Sequence, residues 1–148
     1  ARVLEMMQET AVRETYRIEG ETVITCDDYT SGRLFDDAVC YAFYPVDLHD
    51  KHGVKPQPLQ PGTVPTIPLS ALVPKGSRNL LVAGRSVSSD RLANSALRVQ
   101  APCMAMGQAA GAAAALAAAT NTTPMKVPFE QIRSVLKEHG AIVPGKEG

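Results

Sequence analysis

The chain has 148 residues, 45% hydrophobic and 20% charged, with 15 Lys and Arg balanced by 15 Asp and Glu. A length of this order fits one domain or part of one, and zero net charge removes the electrostatic reason to expect a nucleic acid or an anionic membrane as partner. Aromatic residues make up 5% with no Trp, so stacking platforms for bases are scarce too.

The N-terminal residues Ala1 to Glu5 place charges inside an apolar stretch, which is not the pattern of a signal peptide. Val3, Leu4, Met6 and Met7 read as the end of a helix already under way, so the chain reads as a fragment. Val12 to Ile18 and Thr22 to Thr25 flank Glu19-Gly20-Glu21 and predict a hairpin. Thr25 stands three residues before Asp28, a capping-box spacing that starts a short helical turn. Val39 to Asp47, rich in β-branched and aromatic residues, predicts a strand that Pro45 confines to a sheet edge or a bulge.

From Leu48 to Pro68 the sequence is polar and carries five prolines, a long loop of the kind that is functional or disordered. Leu69 to Val73 is a short element and Pro74 to Ser77 a turn. Asn79 to Ala83 (NLLVA) is a continuous apolar run, the pattern of a strand buried on both faces in a parallel sheet. A connector then leads to a helix from about Pro102, a residue suited to a first helical turn, to Ala119. Ten of the residues from Ala109 to Ala119 are Ala or Gly, which calls for close backbone packing; this apolar stretch is too short to span a bilayer. A last helix follows Pro128, with Phe129, Ile132, Val135 and Leu136 on its apolar face and Gly140 as its C-terminal cap. The chain divides into residues 1–75, a sheet region with the proline-rich loop, and residues 76–148.

Three cysteines, Cys26, Cys40 and Cys103, are widely spaced without a CxxC pair. That suggests neither a zinc ribbon nor a disulfide framework, and it fits a reducing, cytoplasmic location.

The segment from Asn79 to Ala119 holds most of the candidate chemistry. A buried strand would deliver Gly84, Arg85 and Ser86 at its carboxyl end, where ligands of open α/β sheets sit. Gly84 allows close backbone approach, and Arg85 supplies a permanent planar cation for phosphate or carboxylate. Arg98 precedes a helix N-terminus, itself a source of N–H donors and partial positive charge. Gly107, Gln108, Ala109 and Gly111 put small residues on the first turns. The same features also have plain structural readings: a Gly-Arg turn with a surface ion pair, glycines spaced for helix packing, and Cys103 as a small buried thiol rather than an activated one.

His49 follows a strand end, where alternation places it on the same side as Asp47. It reads as an acid–base group or as part of a solvated polar loop. His49, Asp50 and His52 are also potential metal ligands, but their spacing matches no closed-site pattern, so no metal is expected.

The order NLLVAGRSVSSD followed by ALRVQAPCMAMGQAAGAAAALA resembles the C-terminal signature of FAD-dependent oxidoreductases of the glutathione-reductase-like, two-dinucleotide-fold type. Arg13-Glu14-x-x-Arg17-Ile18-x-Gly20, Asp36-Asp37, Asp47-x-His49 and the run from Thr66 to Pro74 fit the same pattern in the same order, so the resemblance spans roughly Val12 to Leu136. It implies an α+β or α/β fold: a mixed sheet of the substrate-side region plus the last strand and helix of an FAD-binding Rossmann-like domain. It also implies that Gly84 and Arg85, with Ser86 beside them, lie near the FAD pyrophosphate or ribityl chain. Arg98, Gly107, Gln108, Ala109 and Gly111 would then lie near the flavin ring or ribityl chain, with His49 on the substrate side.

None of the 11 glycines forms G-x-G-x-x-G. The reading is therefore of one side of a flavin site that acts on a small organic substrate. Its partner is a missing N-terminal half, and the fragment alone is inactive and binds FAD weakly or not at all. The alternative is a non-enzymatic module that oligomerises through the Ala-rich helix and exposed apolar surface.

Overall fold

The computed structural model describes residues 14, 16–49 and 56–145. Helix α1 (Cys26–Ser31) begins where the Thr25–Asp28 spacing places it, with both halves of the capping box formed. The Asp28 N–H donates to Thr25 Oγ1 at 3.1 Å, and the Thr25 N–H donates back to Asp28 Oδ2 at 3.0 Å. Two antiparallel strands follow, β1 (Ala38–Tyr41) and β2 (Thr66–Pro68), with a bulge between Ala38 and Cys40. Asp37 ties the ladder to the 3-10 turn Leu69–Leu72, accepting the Leu69 N–H on its carbonyl and the Ser70 N–H on its carboxylate, both at 2.8 Å.

Helix α2 (Arg91–Leu97) fills what the sequence presents as a connector, and it is capped by Asp90. Helix α3 (Gln100–Ala119) starts two residues before Pro102. Proline is tolerated there because the N–H groups of a first turn have no intrahelical acceptor. Helix α4 (Phe129–Glu138) buries Ile132 and Leu136. It closes in a Schellman arrangement around Gly140: Gly140 N–H to Lys137 C=O and Ala141 N–H to Leu136 C=O, both 2.9 Å.

Two expectations fail. The hairpin over residues 12–25 is absent among the described residues: Gly20 bridges Pro74, and Ile24 bridges Ser89. These long-range partners take the backbone groups that a local hairpin would use, while Val12, Arg13 and Thr15 lie outside the described residues. The buried strand at Asn79–Ala83 is also absent. Leu80 is 53% exposed, and the one backbone bond of this run among the described residues is Val82 N–H to Leu72 C=O at 2.7 Å. An apolar run becomes a ladder strand only where another strand lies beside it, and among the described residues none does. The sheet is accordingly a small antiparallel pair beside packed helices, compatible with α+β, and no parallel layer forms among the described residues.

One apolar cluster draws on both parts of the chain, from Ile24 and Tyr29 through Ile67 and Leu72 to Met106 and Ile132. Fully burying side chains of this size stabilises by roughly 1.5–3 kcal/mol each. Helix α3 contributes a narrow stripe, Pro102, Met106, Ala109, Ala113 and Ala117, at three- and four-residue spacing. Its other face, with Gly107, Gly111, Ala114 and Ala118, is exposed. The helix is longer than the alanine stretch suggests, and by length and composition alone it could cross a bilayer; its buried stripe packs into the protein core.

Candidate functional site

The chain from the end of β1 to His49 is pinned residue by residue. The Tyr29 hydroxyl donates to the Tyr44 carbonyl at 2.9 Å and accepts the Tyr44 N–H at 3.1 Å. Burial pushes that phenol up to about 12, opposed by its bond to Tyr44. Val46 is buried and exchanges both backbone bonds with Gln57, at 3.0 and 2.9 Å. Asp47 then donates its N–H to Ser95 Oγ of α2 at 3.0 Å and accepts from Arg98 Nη2 on its carbonyl at 2.9 Å. His49 Nε2 lies 3.1 Å from Asp47 Oδ2.

These residues surround a cleft of about 530 Å³ lined by Tyr44, Asp47, His49, Arg85, Ser95, Arg98, Val99 and Gln100. That volume falls within the range of small-molecule sites. Arg85 reaches it from the 3-10 turn Gly84–Ser86 rather than from a strand end. Gly84 adopts φ +84°, a left-handed conformation costly for any residue with a Cβ. Asn94 of α2 donates to the Arg85 carbonyl at 3.1 Å and holds the turn against the helix.

Helix α3 opens at the cleft wall. Its N-cap, Val99, has no side-chain acceptor, and its first turn carries no acid. The N–H groups of Gln100 and Ala101 precede the first backbone bond, Cys103 N–H to Val99 C=O at 3.2 Å. These donors and the helix dipole add to the charge of Arg85 and Arg98. Arg91 and Arg17 stand nearby around Glu14; a hydrogen bond from Arg91 holds that carboxyl below its ordinary value against a smaller opposing effect of burial, with the charges of Arg91, Arg17 and Arg98 adding. The donor set suits an anionic or carbonyl-rich group such as a phosphate or the pyrimidine end of a flavin, and so it fits FAD chemically.

The structure thus brings together Arg85, Arg98 and His49. It separates them from the Gly107–Gly111 run, which begins at the eighth residue of α3, about 10 Å along the axis at about 1.5 Å per residue. This corrects the expectation that these residues occupy the first turns. Gln108 lines a different, apolar groove of about 590 Å³ with Phe43 and Met104. Gly111 lines a third hollow of about 660 Å³ beside Leu80 and Leu81, and Ala109 is buried in the core. Cys103 takes its plain reading: burial raises its thiol more than Arg85 lowers it. Among the described residues no group of three metal-ligating side chains occurs, while Asp50 and His52 lie outside them.

Five cleft residues escaped the sequence reading as site residues: Tyr44, Asp47, Ser95, Val99 and Gln100. The Asp-x-His alternation was the available signal for Asp47. Ser95 has none, because its partner is 48 residues away.

A family model described as "FAD dependent oxidoreductase" matches residues 1–136. The chain belongs to that family, which makes it a flavin-dependent oxidoreductase by descent. No curated protein and no solved structure matches it.

Proposed function

We propose that this member of the FAD-dependent oxidoreductase family supplies the anion-binding and acid–base wall of a flavin site acting on a small organic substrate. The observation that carries the reading is the convergence of Arg85, Arg98, His49 and the uncapped start of a 20-residue helix on one cleft. Bound FAD would supply the hydride or electron chemistry. Arg85, Arg98 and the Gln100 and Ala101 N–H groups orient and neutralise the anionic part of the cofactor, favouring the negative charge that accumulates on reduction. His49 takes or gives a proton at the substrate face.

The finer reading is that of the C-terminal part of a glutathione-reductase-like, two-dinucleotide-fold enzyme. A Rossmann-like half carrying the G-x-G-x-x-G motif, absent from these 148 residues, would complete the site. Two features support this. Asn79–Ala83 is an apolar run without a neighbouring strand among the described residues, and the exposed face of α3 is stripped to Gly and Ala at Gly107, Gly111, Ala114 and Ala118. Both invite a closely packed partner layer. On this reading the chain by itself is inactive and binds FAD weakly, the protein is cytoplasmic, and neither nucleic acid nor membrane is a partner. The same exposed face also favours a second reading, association of copies through α3 without catalysis.

Flavin absorbance after purification of the full-length protein tests the first reading. A protein that stays colourless with excess FAD overturns it; a colourless protein that self-associates, and loses association on enlarging Gly107 and Gly111, supports the second.

A further inference from the structure

We propose that Asp47 is the positioning residue of the cleft, setting the His49 ring with its carboxylate and the Arg98 guanidinium with its main chain. The proposal rests on the reading of His49 as the proton-transfer group.

Asp47 makes three bonds in three directions. Its N–H is anchored on Ser95 Oγ at 3.0 Å, its carbonyl accepts Arg98 Nη2 at 2.9 Å, and its Oδ2 faces His49 Nε2 at 3.1 Å. An ionised carboxylate only accepts, so the ring nitrogen opposite it must donate. The bond therefore fixes which imidazole nitrogen carries the proton as well as the plane of the ring, the two properties an acid–base histidine needs.

An aspartate beside a histidine on a loose surface loop would achieve little, because ordering both side chains costs entropy. Asp47 differs because its backbone is already fixed. Tyr44 is locked to Tyr29, Val46 to Gln57, and Asp47 itself to α2, so the carboxylate is delivered to one place. The Asp47 side chain is 19% exposed, against 51% for His49: the inner group holds the outer one. Arg98 and Ser95 belong to α2 and its C-cap, so one short helix and one extended segment set both the cation and the proton carrier.

The two roles of Asp47 are chemically separable, and that makes the proposal testable. Asp47→Ala removes the carboxylate but leaves the N–H and C=O bonds, so the fold and Arg98 are retained while His49 loses its bond to Asp47 Oδ2. In 15N-edited NMR of the full chain, the ratio of Nε2-protonated to Nδ1-protonated neutral His49 should fall about threefold or more in Asp47→Ala. It should fall less in Asp47→Asn, which keeps a neutral acceptor. Arg98 guanidinium signals should stay in place in both. Ser95→Ala should move the His49 and Arg98 signals together, because it loosens the shared anchor. In the flavin-loaded enzyme, Asp47→Ala should lower kcat roughly 10- to 100-fold with KM little changed.

His49 signals unchanged in Asp47→Ala would overturn the proposal, as would Arg98 signals displaced as far as those of His49. Flavin content is read separately from the wild-type spectrum, so a colourless wild type defeats the flavin reading while the NMR comparison still decides the role of Asp47.

Discussion

Asp90 is the residue whose loss should propagate furthest from fold to site. Its Oδ1 accepts the Ala93 N–H at 2.7 Å and caps α2, while its Oδ2 accepts the Cys26 N–H at 2.6 Å at the start of α1. One carboxylate therefore satisfies first-turn donors of two helices. Replacing an N-cap Asp by Ala costs about 0.5–2 kcal/mol, and stranding a part-buried N–H costs about 1–3 kcal/mol more. Asp90→Ala should thus destabilise by about 2–4 kcal/mol; at roughly 2–4 °C per kcal/mol for a chain of this size, a mid-range loss lowers Tm by roughly 6–12 °C. Urea denaturation followed by far-UV circular dichroism gives the free energy directly, with Asp90→Asn, which keeps one acceptor, falling between. Because α2 carries Ser95 and leads into Arg98, the variant should also loosen the cleft. A loss below about 0.5 kcal/mol, the level of an ordinary surface change, would refute the claim that this carboxylate joins the two helices.

Thr25→Ala should cost about 1 kcal/mol by opening the capping box of α1, measurable in the same denaturation experiment. Asp28 sits below its ordinary 3.8: burial pushes it up, but bonds from Arg33 and from Thr25 together outweigh that. Its contribution to stability is then full above pH 3.8 and lost as pH falls through the lower folded value, so Asp28→Asn should lower stability at neutral pH, leave it little changed in strong acid, and thereby flatten the acid limb, read by urea denaturation across pH. At Gly107 and Gly111 an added Cβ would meet no atom within 4 Å. Alanine at each should stabilise the chain by about 0.5–1 kcal/mol in thermal unfolding through helix propensity. If a partner layer packs closely on this face, the same changes should weaken that association, read by sedimentation.

Features carried by local chemistry were legible in the sequence. The Thr25–Asp28 box, the start of α4 after Pro128 and its Gly140 stop each depend on residues within a few positions, and all three stand in the structure. Helix α2 was missed because its seven residues, RLANSAL, are too short for a periodic signal, although Asp90 was a readable cap. Asn79–Ala83 shows the opposite failure: its composition is that of a buried strand, yet strand identity depends on a neighbour that the run itself cannot specify. The site follows the same division. Arg85, Arg98 and His49 could be named from their place in a family pattern, and the cleft gathers them. The bonds that arrange them link Asp47 to Ser95 and Arg98, 48 and 51 residues apart, and no local pattern reveals such pairs. Gly107–Gly111, expected on the first turns of a helix starting near Pro102, begins instead at the eighth residue of α3, because that helix starts at Gln100.

On the proposed function, Arg85, Arg98 and the start of α3 hold the anionic part of FAD. The most direct measurement is the visible spectrum and flavin content of the purified full-length protein, compared with its Arg85→Met/Arg98→Met variant at equal helicity. Stoichiometric flavin is expected in the wild type and flavin largely lost from the variant, with binding in the wild type weakening as salt rises. A wild type without flavin, or a variant that holds FAD as tightly as the wild type, would contradict it.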